Sequence, residues 1–278
     1  ATSLRMGDIG YQNSQEDEKG VKANYNSLCH YIYSLRAAMK TSCEDFEKIG
    51  LKKNGDYQQL NTNILQIANE YYSSVRPKPI LYGNDRPLRA LNNKGIGYIE
   101  IRSLDINPML EVGIDKEQIE FLEAFLLFCL LEDSPAIPSS ELVEIDSNAL
   151  LVAHQGRQPT LILEHIGEKV TLANWGESLF KKIKQCSRLL SDAHQESVES
   201  ISIRIKNPDL TPSAIMLNEM KRQEKGFFEF TDQYSHKYKT QNQEKAFDKD
   251  YFLRLDEHSI RSIKEQQEIE SKDVINFD

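Results

Sequence analysis

The segment Gly97-Tyr-Ile-Glu-Ile-Arg-Ser-Leu-Asp-Ile, closed by Asn107-Pro108, is the clearest strand in the chain and constrains its fold more than any other stretch. Period-two geometry puts Ile99 and Ile101 on one face and Tyr98, Glu100 and Arg102 on the other, with same-face neighbours about 6.5–7 Å apart. A helix is encoded just downstream. Asp115 can cap a helix, with Gln118 three residues on as its capping-box partner. Ile119 to Leu131 then runs almost wholly apolar apart from Glu120 and Glu123, which predicts a helix buried in the core. That run is too short and too charged to span a bilayer.

The remaining elements are read from periodicity and breakers. Residues 1–26 are polar and Gly-punctuated and read as loop, whereas Leu28, Ile32, Leu35 and Met39 recur at helical spacing after Ser27. Thr41 to Asp56 reads as a connector with a Lys-Asn-Gly turn, and residues 57–75 as extended structure. Breaker chemistry makes Arg76-Pro-Lys-Pro and Gly83-Asn-Asp-Arg-Pro a loop. Past Ser134-Pro-Ala-Ile-Pro comes a looser region, then a hairpin from Thr160 to Ala173 turning at Gly167-Glu168. Leu179, Phe180, Ile183, Cys186 and Leu190 follow at helical spacing, and Asn207-Pro-Asp-Leu-Thr-Pro opens a further helix. The Lys-, Glu- and Gln-rich end, from about 219 to 278, reads as a peripheral helical segment.

Composition narrows the function classes. The chain has 278 residues and a formal net charge of -9, from 43 acidic and 34 basic side chains. With no clustered basic face to neutralise a phosphate backbone, a nucleic-acid partner is excluded. No apolar run approaches the roughly 20 residues of a spanning helix, so no membrane partner is expected either. Cys29, Cys43, Cys129 and Cys186 lie far apart without a CxxC pair, which fits a reducing, cytoplasmic compartment. Gly95 and Gly97 precede the strand instead of following it, so there is no dinucleotide fingerprint, and no GxxxxGK[ST] loop is present. The six histidines show neither HExxH nor HxxH spacing.

Two constellations carry chemistry. Glu100 and Arg102 are opposite charges on one face of a strand, and they cost desolvation unless they pair or meet a ligand. One reading is a half-exposed face with a surface ion pair. The other is a cleft in which Glu100 holds a hard metal ion and Arg102 clamps an oxyanion. The second constellation is Arg5 with Tyr11, together with Tyr71 and Tyr72. A guanidinium forked onto both carboxylate oxygens, with phenols adding hydrogen bonds, makes a receptor for a substrate carboxylate. Solvation of Arg5 and core-edge packing of the tyrosines are the competing reading.

Four blocks in order, Ala1-Thr-Ser-Leu-Arg-Met-Gly-Asp-Ile-Gly-Tyr, Asn63-Ile-Leu-Gln-Ile-Ala-Asn-Glu-Tyr-Tyr with Val75-Arg-Pro-Lys, Tyr98-Ile-Glu-Ile-Arg-Ser-Leu-Asp-Ile-Asn-Pro, and Gly113-Ile-Asp through Phe121-Leu-Glu-Ala-Phe-Leu-Leu-Phe-Cys, resemble the proteobacterial type of glutamate-cysteine ligase. The likeness covers about the first 135 residues well, and Asn207-Pro-Asp-Leu-Thr extends it into the second half. It implies an α+β fold in which a glutamine-synthetase-like antiparallel sheet, backed by helices, forms part of a funnel-shaped active site. It implies ATP and Mg2+ as cofactors and glutamate and cysteine as substrates, joined through a γ-glutamyl phosphate in the first step of glutathione synthesis. By the same resemblance Glu100 matches a magnesium ligand, Arg102 the arginine that steadies the transferring phosphoryl group, and Arg5, Tyr11 and Tyr72 the cysteine pocket. Because the family draws further metal ligands from a region preceding the Ala-Thr-Ser-Leu-Arg block, residues 1–278 are expected to be the C-terminal part of one catalytic domain, inactive alone and monomeric when complete. A related ligase with another amine acceptor, and a non-catalytic subunit on the same scaffold, stay open as alternatives.

Overall fold

Ser27 starts the first element: its hydroxyl accepts the His30 N–H, opening α1 (Leu28–Ala38), and Tyr31, Ile32, Leu35 and Ala38 form its buried stripe, with Leu28 and Met39 of the expected positions only partly buried. The structure, a computed structural model, describes residues 2–7, 10, 22–245 and 248–274. Two compact units divide it, Ala1–Glu224 and Lys225–Asp278. It is a helix-rich α+β chain whose strands, among the described residues, pair as three two-stranded antiparallel ladders.

The stretch expected as a plain connector holds α2 (Glu44–Ile49) and a hairpin of β1 (Lys52–Lys53) and β2 (Asp56–Tyr57). Asn54 and Gly55 turn it with φ of 56° and 96°, the left-handed pair that two-residue hairpins require. Of residues 57–75, only Tyr57 and Val75 at the two ends belong to strands. Leu65 is fully buried with Tyr71 beside α1, and the backbone bonds back to the end of that helix: Ile64 N–H to the Thr41 carbonyl at 2.8 Å and Leu65 N–H to that of Ala38 at 3.3 Å. Apolar residues that cap a helix end follow neither the helical nor the strand period.

The segment read as a loop at Arg76-Pro-Lys is β3 (Val75–Lys78), paired with β4 (Tyr98–Ile101). The Arg102 N–H meets the Ser74 carbonyl at 2.7 Å. Alternation along an antiparallel ladder then leaves Pro77, opposite Ile99, at a position that needs no donor. Between them, Pro87 occupies the first turn of α3 (Pro87–Lys94), so the proline starts a helix as well as closing a loop. The β4 ladder is shorter than the alternation reaches: Ile106, at its expected far end, is 76% exposed.

The capping box of α4 (Lys116–Leu131) is present, with the Gln118 N–H 2.8 Å from Asp115 Oδ1 and the Asp115 N–H 3.3 Å from Gln118 Oε1. Only Ala124 and Phe128 of its apolar run are buried, packed with Ile183 and Val198, so the helix is half-exposed instead of enclosed. The looser region is α5 (Ser139–Gln155). The hairpin is found as β5 (Ile162–His165) and β6 (Glu168–Thr171), turning at Ile166-Gly167. Then come α6 (Leu172–Ser187), α7 (Asp192–Lys206) and α8 (Pro212–Arg222), the last capped by the Thr211 hydroxyl. In the second unit α9 (Phe227–Glu244) precedes α10 (Lys249–Lys272), which is exposed along its length. No helix among the described residues is long and apolar enough to cross a membrane.

Candidate active site

The β3–β4 ladder concentrates charge on one face. Arg76 stands directly opposite Glu100, and Lys78 opposite Tyr98. Residues two apart on a strand share a face, so Arg76, Lys78, Glu100 and Arg102 gather on one side while Val75, Pro77, Ile99 and Ile101 take the other. The face inferred for Tyr98, Glu100 and Arg102 is therefore the observed one.

Glu100 lies between two cations. Arg102 Nη2 sits 2.9 Å from Oε1 and 3.1 Å from Oε2, and Lys78 Nζ 3.2 Å from Oε2. Partial burial pushes the Glu100 carboxyl up, but hydrogen bonds and charge from Arg102 and Lys78 together outweigh it and hold the group below its ordinary value. The Arg102 guanidinium also lies 5.2 Å from the centre of the Tyr72 ring, within cation–π range.

Arg76 is only 6% exposed. Its Nη2 reaches the Ala68 carbonyl at 3.4 Å, and its Nε has no acceptor among the described residues. From α1 the buried phenol of Tyr31 meets this group; burial pushes its pKa up, against the pull of the Arg76 and Arg102 charges. Among the described residues, Arg76, Lys78 and Arg102 meet a single carboxylate on this face.

Arg5 comes to the same place through Asp105. The Ser3 hydroxyl donates to one Asp105 oxygen and the Arg5 N–H to the other, the latter at 2.9 Å, while Arg5 Nε donates to the Arg102 carbonyl. The N–H groups of Thr2 and Ser3 both bond the Ala153 carbonyl at the end of α5, at 2.7 and 3.0 Å, which anchors the segment from behind. Arg5, Tyr72, Glu100 and Arg102 are thus brought together, while Tyr11 lies outside the described residues. The tyrosine pair divides: Tyr71 is fully buried with its oxygen accepting the Ala23 N–H at 2.9 Å, and Tyr72 is open to the site.

Reading the sequence missed Arg76, Lys78, Tyr31 and Asp105. The signal for the first two was an i, i+2 pair of cations in Val75-Arg-Pro-Lys, obscured because proline chemistry reads that stretch as loop. Among the described residues no group of three or more His, Cys, Asp or Glu is set to hold a metal ion, and both Glu100 oxygens are engaged by Arg102 and Lys78. The face as a whole suits a ligand with several anionic oxygens.

Comparison with known proteins points the same way. A family model described as glutamate-cysteine ligase matches residues 1–152. The glutamate–cysteine ligase of Pseudomonas entomophila is 39% identical over 283 aligned positions, covering 100% of this chain and 53% of the relative. That of Pseudomonas paraeruginosa is 40% identical with the same coverage. The chain therefore spans about half the length of the curated relatives it matches. The crystal structure of glutamate–cysteine ligase from Francisella tularensis in complex with AMP aligns with a TM-score of 0.90 at 30% identity, over 99% of this chain and 55% of that one. A bifunctional glutathione synthetase from Pasteurella multocida aligns at a TM-score of 0.57 and 20% identity over 86% of this chain and 26% of that one, a likeness of fold alone.

Proposed function

The chain belongs to the glutamate-cysteine ligase family, and from that premise we propose that it supplies part of the site that joins cysteine to the γ-carboxylate of glutamate at the expense of ATP, the first step of glutathione biosynthesis. In this reaction the γ-phosphoryl group passes to a γ-carboxylate oxygen of glutamate and ADP leaves. The amine of cysteine then attacks the acyl phosphate carbonyl and expels phosphate, forming γ-glutamylcysteine.

The observation that carries the reading is the charged face of β3–β4, where Glu100 is held between Lys78 and Arg102 with Arg76 beside it. Phosphoryl transfer is catalysed chiefly by positioning and by charge that faces the equatorial oxygens, and Arg102 is the group assigned to them. Magnesium, when bound, neutralises charge on the nucleotide's phosphates. Glu100 fits one of its oxygen ligands, since magnesium keeps waters and phosphate oxygens as its other partners. Arg5, with Tyr72 and Tyr11, is assigned to the carboxylate of cysteine, the Arg5 main chain being fixed by Asp105. A glutamine-synthetase-like funnel, with this ladder in its wall, a cytoplasmic setting and a monomeric complete protein belong to the same reading.

ADP release by the complete protein tests it. Release is expected with glutamate and cysteine together, falling when cysteine is exchanged for 2-aminobutyrate or unrelated amines. Preference for another amine would assign a different ligase reaction, and no release at all would make the scaffold a binding subunit.

A further inference from the structure

Glu100 has two cationic partners, and only Arg102 has a task in the reading above. Lys78 and Arg76 stand beside it on the same face without one. A diagonal cross-strand ion pair such as Lys78–Glu100 is ordinary in a sheet, but it leaves unexplained why a third cation is buried next to it. Arg76 as a residue is only 6% exposed; its Nη2 reaches the Ala68 carbonyl, and its Nε–H has no acceptor among the described residues. A buried, charged donor left without a partner is costly unless a ligand completes it. Among the described residues, three cations meet one carboxylate on this face.

We infer that Lys78 and Arg76 form a phosphate-binding pair that acts with Arg102, and that the Lys78–Glu100 contact is a resting arrangement from which Lys78 turns to the phosphate oxygens of the nucleotide. Glu100 neutralises Lys78 and Arg102 while no anion is present. Once a polyphosphate arrives, its oxygens take over the cations and the Glu100 carboxylate becomes available to a metal ion. Lys78 suits such an exchange: its ammonium is a compact charge on a flexible stem, whereas the guanidinium of Arg76 is fixed by burial. Arg76 is the fixed member of the pair and Lys78 the mobile one. The inference rests on the reading of this face as the phosphoryl-transfer site.

Equilibrium binding of ADP to the complete protein, measured by calorimetry with and without magnesium, is the test. Lys78→Ala is expected to weaken ADP binding about tenfold or more, the loss typical of one charge-assisted contact. Lys78→Arg should recover most of that loss, and the Michaelis constant for cysteine should move less than twofold in either. Arg76→Lys, which keeps the charge but not the fork, should weaken ADP binding as well. Where Lys78→Ala lowers folded yield, Lys78→Gln, which keeps the stem, gives the same readout. Unchanged ADP affinity in Lys78→Ala or Lys78→Gln would overturn the inference and leave Lys78–Glu100 a structural pair. Failure of the unaltered protein to bind ADP would instead overturn the assignment of the site itself.

Discussion

Asp105 shows how one side chain sets another. Its two oxygens take the Ser3 hydroxyl and the Arg5 N–H, so the loop that presents Arg5 is fixed by a carboxylate about 100 residues downstream. Arg5→Ala is expected to raise the Michaelis constant for cysteine well above any change for glutamate, and Asp105→Ala to do the same more weakly while Arg5 remains in place. Equal effects on both substrates, measured by steady-state ADP release, would count against the assignment. Glu100 makes a prediction about pH. Its carboxyl titrates below its ordinary value when folded, so the unfolded chain binds the proton more readily, and the group adds stability at neutral pH that is lost as pH falls through that depressed range. In urea titrations the unaltered protein should exceed Glu100→Gln at pH 7, and the gap should close on acidification; a gap that widens would refute the assignment of its partners. Glu100, Arg102, Arg5 and Tyr72 were all legible in the sequence. Asp105 was not, because an acid in Ser-Leu-Asp-Ile carries no sign of the distant main chain it will bind.

Among the elements, the β3–β4 ladder decides whether the site exists. β4 announces itself by alternation, whereas β3 is concealed by Pro77, whose place opposite Ile99 is tolerable only in that register. Gly97 leads into β4 with its N–H on the Lys78 carbonyl at 2.8 Å, and a Cβ there would stand 2.7 Å from Ile80 Cγ1 and 3.0 Å from the Ile80 backbone nitrogen. The side chain of Ile80 can give way, but its backbone cannot. Gly97→Ala should therefore cost about 1–3 kcal/mol, read as a lowered thermal midpoint, with the loss of phosphate-site function following the loss of register. A midpoint equal to that of the unaltered protein would show that Ile80 moves freely. The helices divide in the same way by the strength of their local signals. The Asp115–Gln118 capping box identified α4 correctly, while α5 and α7 were missed because their apolar residues are diluted by Ser, Glu and Asn that face solvent.

At the scale of the whole molecule, this chain aligns over nearly its full length with half of a larger enzyme fold, at a TM-score of 0.90. Its described residues hold a cationic anchor face and one carboxylate, but no complete metal site. In the proposed reading, this chain contributes recognition of phosphate and of the cysteine carboxylate together with a single metal oxygen. The family was legible from four ordered sequence blocks, three of which, the strand, the tyrosine pair and the Asp105-anchored segment, meet in space. What the sequence hid was the pairing that turns them into one face. Arg102 is the decisive group, and the direct measurement is turnover of the complete protein carrying Arg102→Ala, with ATP, glutamate and cysteine saturating. The predicted result is a loss of about 10²-fold or more, as expected when one preorganised stabiliser of the transferring phosphoryl group is removed. Near-normal turnover would contradict it and return Glu100 and Arg102 to a surface ion pair.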